Sequence, residues 1–233
     1  MGNLSRFDLE RMIKNYKVSY LFETGTLWGD GVAYALQFPF KKIVSVEIMP
    51  SIAEQARKRF SEDQQVAIIE TDSVTALKEQ LGHLTGNIVF WLDAHFPGAD
   101  AGLEQYDKQA EGKDDFRLPL SHEIEIISTL RSGFQDVLII DDLRIYENGP
   151  YQNGNVPPDA MPAGERSIRF VEERFSGTHV IIRSYLDEGY LLLFPKKSYK
   201  KHHGRLARFF HKKDVENCQY LAEPGTSPIP AAL

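Results

Sequence analysis

Short apolar segments that end in or near an acidic residue alternate with helix-forming segments, and this alternation constrains the fold more than any other feature. The apolar segments span residues 20–24, 42–48, 66–73, 87–96 and 136–142. Strands that alternate with helices form a parallel sheet covered by helices on both faces. The uninterrupted run VLII at 137–140 agrees, because such strands are buried on both sides. We therefore predict an α/β fold with a Rossmann-like, doubly wound sheet.

The last third of the chain predicts a change in strand direction. After a predicted helix at 164–175 come two apolar segments, 178–186 and 189–195, separated by little more than Asp187 and Glu188. Such a short connection is typical of a β-hairpin. The sheet is thus expected to have seven strands, mostly parallel, with a C-terminal antiparallel hairpin.

The chain is long enough for one sizeable core, since it has 233 residues of which 42% are hydrophobic. We predict a single domain at 1–195 that opens with a helix within 1–17, where Leu9, Met12, Ile13 and Tyr16 have helical spacing. Residues 196–233 form a basic C-terminal tail. Within 196–213 the tail carries Lys and Arg but no Asp or Glu.

Charge and composition narrow the classes of function and the location. The net charge of -6 argues against a nucleic-acid partner, because such proteins need a basic face. We expect no transmembrane segment, since no apolar run approaches the ~20 residues that span a bilayer, and the N-terminus has no signal-peptide pattern. With a single cysteine, Cys218, a cytoplasmic protein is expected. The tail is either solvated or a contact for an anionic surface, and a homo-oligomer is left open.

The turn after the first strand has features of a cofactor-binding loop. In open α/β sheets, ligands bind at the carboxyl ends of the strands. The loop ETGTLWGDG at 23–31 contains glycines that let the backbone approach a ligand, and the following helix offers free N–H groups. Its G-x-x-x-G-x-G spacing differs from the G-x-G-x-x-G of dinucleotide sites. Glu47, ending the second strand, is placed to accept hydrogen bonds from two ribose hydroxyls.

The four motifs ETGTLWGDG, SVEIMP, ETDS and FWLDAH, taken in order, resemble those of class I S-adenosylmethionine-dependent methyltransferases. The resemblance covers about 20–195 and implies that S-adenosylmethionine is the cofactor. It implies that Glu23 and Gly25 line the methionine part, Glu47 the ribose, and Asp72 with Ser73 the adenine. The full set of predicted cofactor-binding residues is Glu23, Gly25, Thr26, Gly29, Gly31, Glu47, Asp72 and Ser73. The loop departs from the commoner E-x-G-x-G-x-G, which leaves the contact of Trp28 open.

Acidic residues at two further strand ends predict a metal site. Asp93 ends the fourth strand and Asp141 with Asp142 ends the fifth, so the three carboxylates should meet at one edge of the sheet. Like charges this close are costly unless a cation neutralises them, and Mg²⁺ prefers oxygen ligands. The pattern resembles the Mg²⁺-dependent O-methyltransferases of catechol and of macrolide and aminocoumarin sugars. That resemblance implies that Asp93, Asp141 and Asp142 bind Mg²⁺ or another divalent cation.

The predicted reaction is methyl transfer to a hydroxyl of a small molecule or sugar. His95, close after Asp93, is the candidate general base, because an imidazole works near neutral pH; a histidine that only supports its neighbours is the alternative. Candidate substrate contacts are Lys113, Arg117, His122 and Arg144, and the long segment at 97–119 is a candidate lid. Two other functions stay open: an NAD-dependent oxidoreductase, and a silent module that binds S-adenosylmethionine without turnover.

Overall fold

The computed structural model describes residues 3–95, 118–157 and 166–203. These residues contain a seven-stranded sheet in the order β3-β2-β1-β4-β5-β7-β6. The strands are β1 (Val18–Thr24), β2 (Lys42–Glu47), β3 (Val66–Glu70), β4 (Asn87–Leu92), β5 (Val137–Ile140), β6 (His179–Ser184) and β7 (Tyr190–Pro195). The pairs among β1 to β5 are parallel, whereas β7 runs antiparallel to both β5 and β6. The predicted fold class and terminal hairpin are confirmed.

Helices cover both faces of this sheet. The described α-helices are α1 (Leu9–Tyr16), α2 (Asp30–Ala35), α3 (Pro50–Arg59), α4 (Ser73–Gln80), α5 (Leu120–Leu130), α6 (Arg169–Phe175) and α7 (Lys196–His203). One face of the sheet packs on α4, α5 and α6 through residues such as Leu77, Ile124 and Val171. The other face packs on α1 and α2 through residues such as Met12 and Val32. The core is thus two apolar layers separated by the sheet, as buried parallel strands require.

The direction in which the chain adds strands to the sheet reverses between β1 and β4. The chain places β2 and β3 on one side of β1, and then returns to place β4 and β5 on the other side. At this switch point two loops leave the sheet to opposite sides and open a crevice. The register places Thr24 opposite Leu92, so the glycine loop and Asp93 emerge at the same level. The residues predicted to bind the cofactor and those predicted to bind metal therefore share one edge.

The strands are shorter than predicted at their carboxyl ends. β3, β4 and β5 end at Glu70, Leu92 and Ile140, so the predicted acidic residues lie just beyond the sheet. Asp72 illustrates the reason: its side chain accepts a hydrogen bond from Thr75 N at 2.8 Å and caps α4. Asp72 itself still has extended backbone, but α4 begins at the next residue, Ser73, so the strand cannot continue. The helix predicted at 164–175 also begins later, at Arg169.

The packed part of the chain extends past the predicted boundary at 195. Helix α7 places Tyr199, which is buried, against Phe194 with ring centroids 5.9 Å apart. An aromatic residue on one face of a lysine-rich helix explains why this part of the tail packs on the domain. None of the described helices is long and apolar enough to cross a bilayer. Several predicted features lie outside the described residues. Cys218 falls in 204–233, and Lys113, Arg117 and most of the predicted lid fall in 96–117.

Candidate active site

The glycine loop passes directly beneath the start of the loop that carries Asp93. Gly25 has a φ of +87°, and a Cβ at this position would lie 2.8 Å from the Asp93 carbonyl oxygen. The N–H groups of Gly25 and Thr26 both donate to the carbonyl of Val46, each at 3.0 Å. Gly25 is therefore required both by its backbone conformation and by the close approach of the second chain segment.

Glu23 and Thr26 are joined through a buried serine. Ser45 donates to Glu23 Oε2 at 2.5 Å, and its hydroxyl lies 2.6 Å from that of Thr26. Burial raises the pKa of Glu23 to about 8, although the hydrogen bond from Ser45 acts in the opposite direction. A Cβ on Gly31 would collide with the Glu23 carboxyl group. The predicted residues Glu23, Thr26 and Gly31 thus lie together around the Ser45 hydroxyl, and the raised pKa of Glu23 favours its neutral form.

Glu47 holds the outer part of the glycine loop. Its Oε2 accepts a hydrogen bond from Leu27 N and its Oε1 from Met49 N, both at 2.9 Å. Each carboxylate oxygen has two lone pairs and can accept more than one hydrogen bond. Leu27 has a φ of 45°, an uncommon conformation for a non-glycine residue. The hydrogen bond from Leu27 N to Glu47 stabilises that conformation. Trp28, the next residue in the chain, is exposed.

Three side chains form a group with metal-binding character beyond β4 and β5. Asp93, His95 and Asp141 each offer a ligand atom, and these atoms lie within 4.8 Å of one another. Both carboxylate oxygens of Asp141 are buried and, among the described residues, have no hydrogen-bond partner. A buried carboxylate without partners is costly, and a cation in this group would satisfy it. The two carboxylates, with an imidazole beside them, therefore suit a divalent cation.

The pKa values of these acids follow from burial and crowding. Burial raises the pKa of Asp141 to about 6, with the neighbouring Asp142 adding to the effect. Burial also raises the pKa of Asp93 well above its usual range, and the charge of Asp141 acts in the same direction. The pair is therefore more easily protonated than an isolated aspartate, and a divalent cation would favour the ionised form.

Asp142, predicted as the third metal ligand, faces elsewhere. Its Oδ2 lies 2.5 Å from His95 Nε2, and its Oδ1 accepts a hydrogen bond from Arg144 Nε at 2.9 Å. Burial by itself would raise the pKa of Asp142, but the hydrogen bond from His95 and the charges of His95 and Arg144 outweigh it and lower the pKa. Asp142 has a φ of 52°, and this left-handed backbone turns its side chain away from that of Asp141.

The loop that carries Asp142 is held by residues that sequence reasoning did not single out. Leu143 N and Arg144 N donate to the carbonyls of Gly189 and Glu188 in the β6–β7 turn, at 2.9 and 3.2 Å. The guanidinium of Arg166 donates to the carbonyls of Arg144 and Ile145. Arg144, predicted as a substrate contact, therefore pairs with Asp142 within the protein. No local sequence pattern indicates these partners, because they lie 24 to 47 residues from Asp142 in the sequence.

Glu123 is a further acidic residue at the site that the sequence did not reveal. It lies in the first turn of α5 and is buried, and its Oε1 has no hydrogen-bond partner among the residues that the structure describes. Burial raises the pKa of Glu123 to about 7, against hydrogen bonds from the hydroxyls of Ser73 and Thr24. Its neighbour His122, a predicted substrate contact, is only partly buried. Helix α5 thus contributes a carboxyl group beneath the cofactor loops.

The fold is similar to solved structures of methyltransferases. The methyltransferase PaMTH1 of Podospora anserina, bound to S-adenosylhomocysteine, shares 14% identity over 80% of this chain and 75% of its own, with a TM-score of 0.50. An O-methyltransferase of Bacillus cereus, also bound to S-adenosylhomocysteine, shares 14% identity over 83% and 80%, with a TM-score of 0.50. No protein-family model and no curated protein matches the sequence. At this identity the likeness shows that the chain has the fold of class I methyltransferases.

Proposed function

We propose that this protein is an S-adenosylmethionine-dependent O-methyltransferase that uses a divalent cation and acts on a hydroxyl of a small molecule or sugar. The observation that carries the proposal is the contact between the predicted cofactor loop and the acidic group. Gly25, in the predicted cofactor loop, lies against the carbonyl of Asp93, whose side chain belongs to the acidic group with His95 and Asp141. A methyl donor in the loop and an acceptor at the acids would be adjacent.

The residues of the glycine loop suit the predicted cofactor. A cation near Glu23 favours its ionised form, and the ammonium group of the methionine part would supply that charge. Glu47 has acceptor capacity for the ribose hydroxyls, and Ser73 begins α4 at the strand end where the adenine is expected. Asp72 caps α4 with one oxygen, so we assign only its other oxygen to the ligand.

The acids and the histidine suit transfer to a hydroxyl. A bound divalent cation supplies positive charge that favours loss of a proton from an acceptor hydroxyl. We assign Asp93 and Asp141 as its protein ligands and His95 as the base that takes the proton. The Asp142 carboxylate can only accept hydrogen bonds, so the Nε2–H of His95 donates to it, while Nδ1 lies 3.4 Å from Asp93 Oδ1. In the transfer, the S–CH₃ bond breaks as the O–CH₃ bond forms.

Binding measurements on the full chain test this proposal without knowledge of the acceptor. Calorimetry with S-adenosylhomocysteine, S-adenosylmethionine and NAD, each with and without Mg²⁺, should show binding of the first two and none of NAD. Binding of NAD instead would support the oxidoreductase alternative. Binding of S-adenosylhomocysteine with no methyl transfer to any hydroxyl compound, in a screen with Mg²⁺, would support the silent module.

A further inference from the structure

Helix α7 is held against the domain by a stack of aromatic side chains. Tyr199 of α7 stacks on Phe194 of β7 with ring centroids 5.9 Å apart, and Phe194 stacks in turn on Tyr16 of α1 at 5.3 Å. The helix packs mainly on α1, β6 and β7. One side of this lysine-rich helix therefore belongs to the core, which leaves its other side to solvent or to a partner.

The outward side of α7 carries a stripe of positive charge. Lys197, Lys200 and Lys201 are exposed, and their spacing of three and four residues places them on one face of the helix. None of the three pairs with an acid in the described part of the chain. Within α1, β6, β7 and α7 the only acid is Glu10. The elements around the stripe therefore supply little negative charge to neutralise it.

The sequence after α7 continues this pattern of charge. Further basic residues follow Lys201 at intervals of three or four positions, namely Arg205, Arg208 and Lys212. Apolar residues lie between these charges, among them Leu206, Phe209 and Phe210. No Asp or Glu occurs within 196–213. Basic residues interleaved with large apolar ones are typical of segments that bind at the surface of an anionic bilayer.

The chemistry of α7 favours lipid headgroups over a nucleic acid. The helix carries lysines and no arginine, and a lysine ammonium attracts phosphates as a point charge, without the bidentate geometry of a guanidinium. Tyr199 is buried, so it offers no platform on which a base could stack. Diffuse positive charge beside apolar residues is the combination that an anionic bilayer attracts.

The position of α7 in the fold keeps it away from the candidate active site. Strand β7 is antiparallel to β5, with Leu191 opposite Ile140 and Leu193 opposite Leu138. It therefore runs away from the loop that carries Asp141, and α7 begins at the opposite edge of the sheet. A surface bound at α7 can hold the protein without entering the crevice.

We propose that the exposed face of α7 is a docking surface for a bilayer rich in anionic lipid, with Lys197, Lys200 and Lys201 facing the headgroups. Each lysine close to such a surface strengthens binding roughly fivefold. The attraction is electrostatic and weakens as salt is added. This attachment requires neither cofactor nor metal, so it is independent of the proposed function.

Co-sedimentation of the full chain with vesicles measures this attachment. Vesicles of phosphatidylcholine alone are compared with vesicles that also contain phosphatidylglycerol, at about 0.15 M salt, where charges interact over ~8 Å. The parent should bind the second kind of vesicle and not the first. Lys197→Gln, Lys200→Gln and Lys201→Gln, combined in one variant, should weaken binding by roughly tenfold or more. Its melting temperature should match that of the parent, because glutamine also favours helix.

A matched variant separates this face from the overall charge of the protein. Lys41→Gln, Lys58→Gln and Lys78→Gln together remove the same charge from exposed positions outside α7 and the elements that it mainly packs on. This variant should bind anionic vesicles within roughly threefold of the parent. A parent that does not bind anionic vesicles, or an equal loss in the two triple variants, would overturn the proposal. Tighter binding to an oligonucleotide than to these vesicles at the same salt would also overturn it and assign the face to a nucleic acid.

Discussion

The imidazole of His95 lies 2.5 Å from the carboxylate of Asp142, measured from Nε2 to Oδ2, while the adjacent Asp141 has no hydrogen-bond partner for either oxygen in the described part of the chain. Two consecutive aspartates thus have different surroundings. One is paired with a histidine and an arginine, and the other is buried beside Asp93. This difference allows the roles of the two residues to be separated by experiment.

We predict that Asp141→Asn and Asp142→Asn affect different properties. Asp141→Asn should weaken Mn²⁺ binding at least tenfold, because it removes a charged ligand. Asp142→Asn should change Mn²⁺ binding less than threefold but should lower the rate of methyl transfer, because His95 loses the acceptor that fixes its tautomer and orientation. Calorimetry and single-turnover assays measure the two effects. An equal loss of metal affinity in both variants would show that Asp142 is a direct ligand, as the sequence predicted.

The stability of the ligand-free protein should depend on pH through Glu23. Its pKa is about 8 in the folded protein against an ordinary value of 4.5, so the folded state binds the proton more tightly than the unfolded state. The resulting stability is fully present below about pH 4.5 and is lost as pH rises through about 8. The effect is on the order of a few kcal/mol. Denaturant melts of the parent and of Glu23→Gln from pH 5 to 8.5 should show a steeper decline in the parent; parallel profiles would contradict the assignment.

Glu47→Ala should weaken the binding of S-adenosylhomocysteine by roughly 10- to 100-fold, since a hydrogen bond to a charged group contributes ~1.5–3 kcal/mol. Part of the loss would come from the glycine loop, because Leu27 N and Met49 N also lose their acceptor. Glu70→Ala is the matched control, since this acid ends the next strand but pairs with Arg57 at the surface. Calorimetry that finds equal affinity in the parent and Glu47→Ala would remove Glu47 from the cofactor site.

Gly25→Ala should abolish measurable cofactor binding and lower stability. The added methyl group would lie 2.8 Å from the Asp93 carbonyl oxygen, at a φ of +87° that side chains rarely adopt. Gly133→Ala, where the methyl group meets no atom within 4 Å, is the control and should melt close to the parent. If Gly25→Ala binds S-adenosylhomocysteine with parental affinity, the two segments do not approach as closely as described.

The sequence predicted the sheet well, and it also predicted that the candidate site residues lie at one edge of it, because both depend on local patterns. Uninterrupted apolar runs identify buried strands, and Glu47, Asp93 and Asp141 follow those runs directly. Glu123 was not predicted because it follows Asp93 by 30 residues and occupies a helix position that looks ordinary without its neighbours. The pairing of Asp142 with His95 was also missed, because it depends on a left-handed backbone at Asp142 that the aspartate side chain does not dictate.

The most direct test of the metal-dependent methyltransferase is a set of melting curves for the parent and Asp141→Ala, recorded in EDTA and in millimolar Mg²⁺ with S-adenosylhomocysteine present throughout. In EDTA the variant should melt at or above the parent, because it loses a buried carboxyl group without partners and relieves repulsion with Asp93 and Asp142. In Mg²⁺ the parent should gain roughly 2–6 °C and the variant almost nothing, since only the intact site gains binding free energy. A parent that Mg²⁺, Mn²⁺ and Ca²⁺ all fail to stabilise would contradict the account.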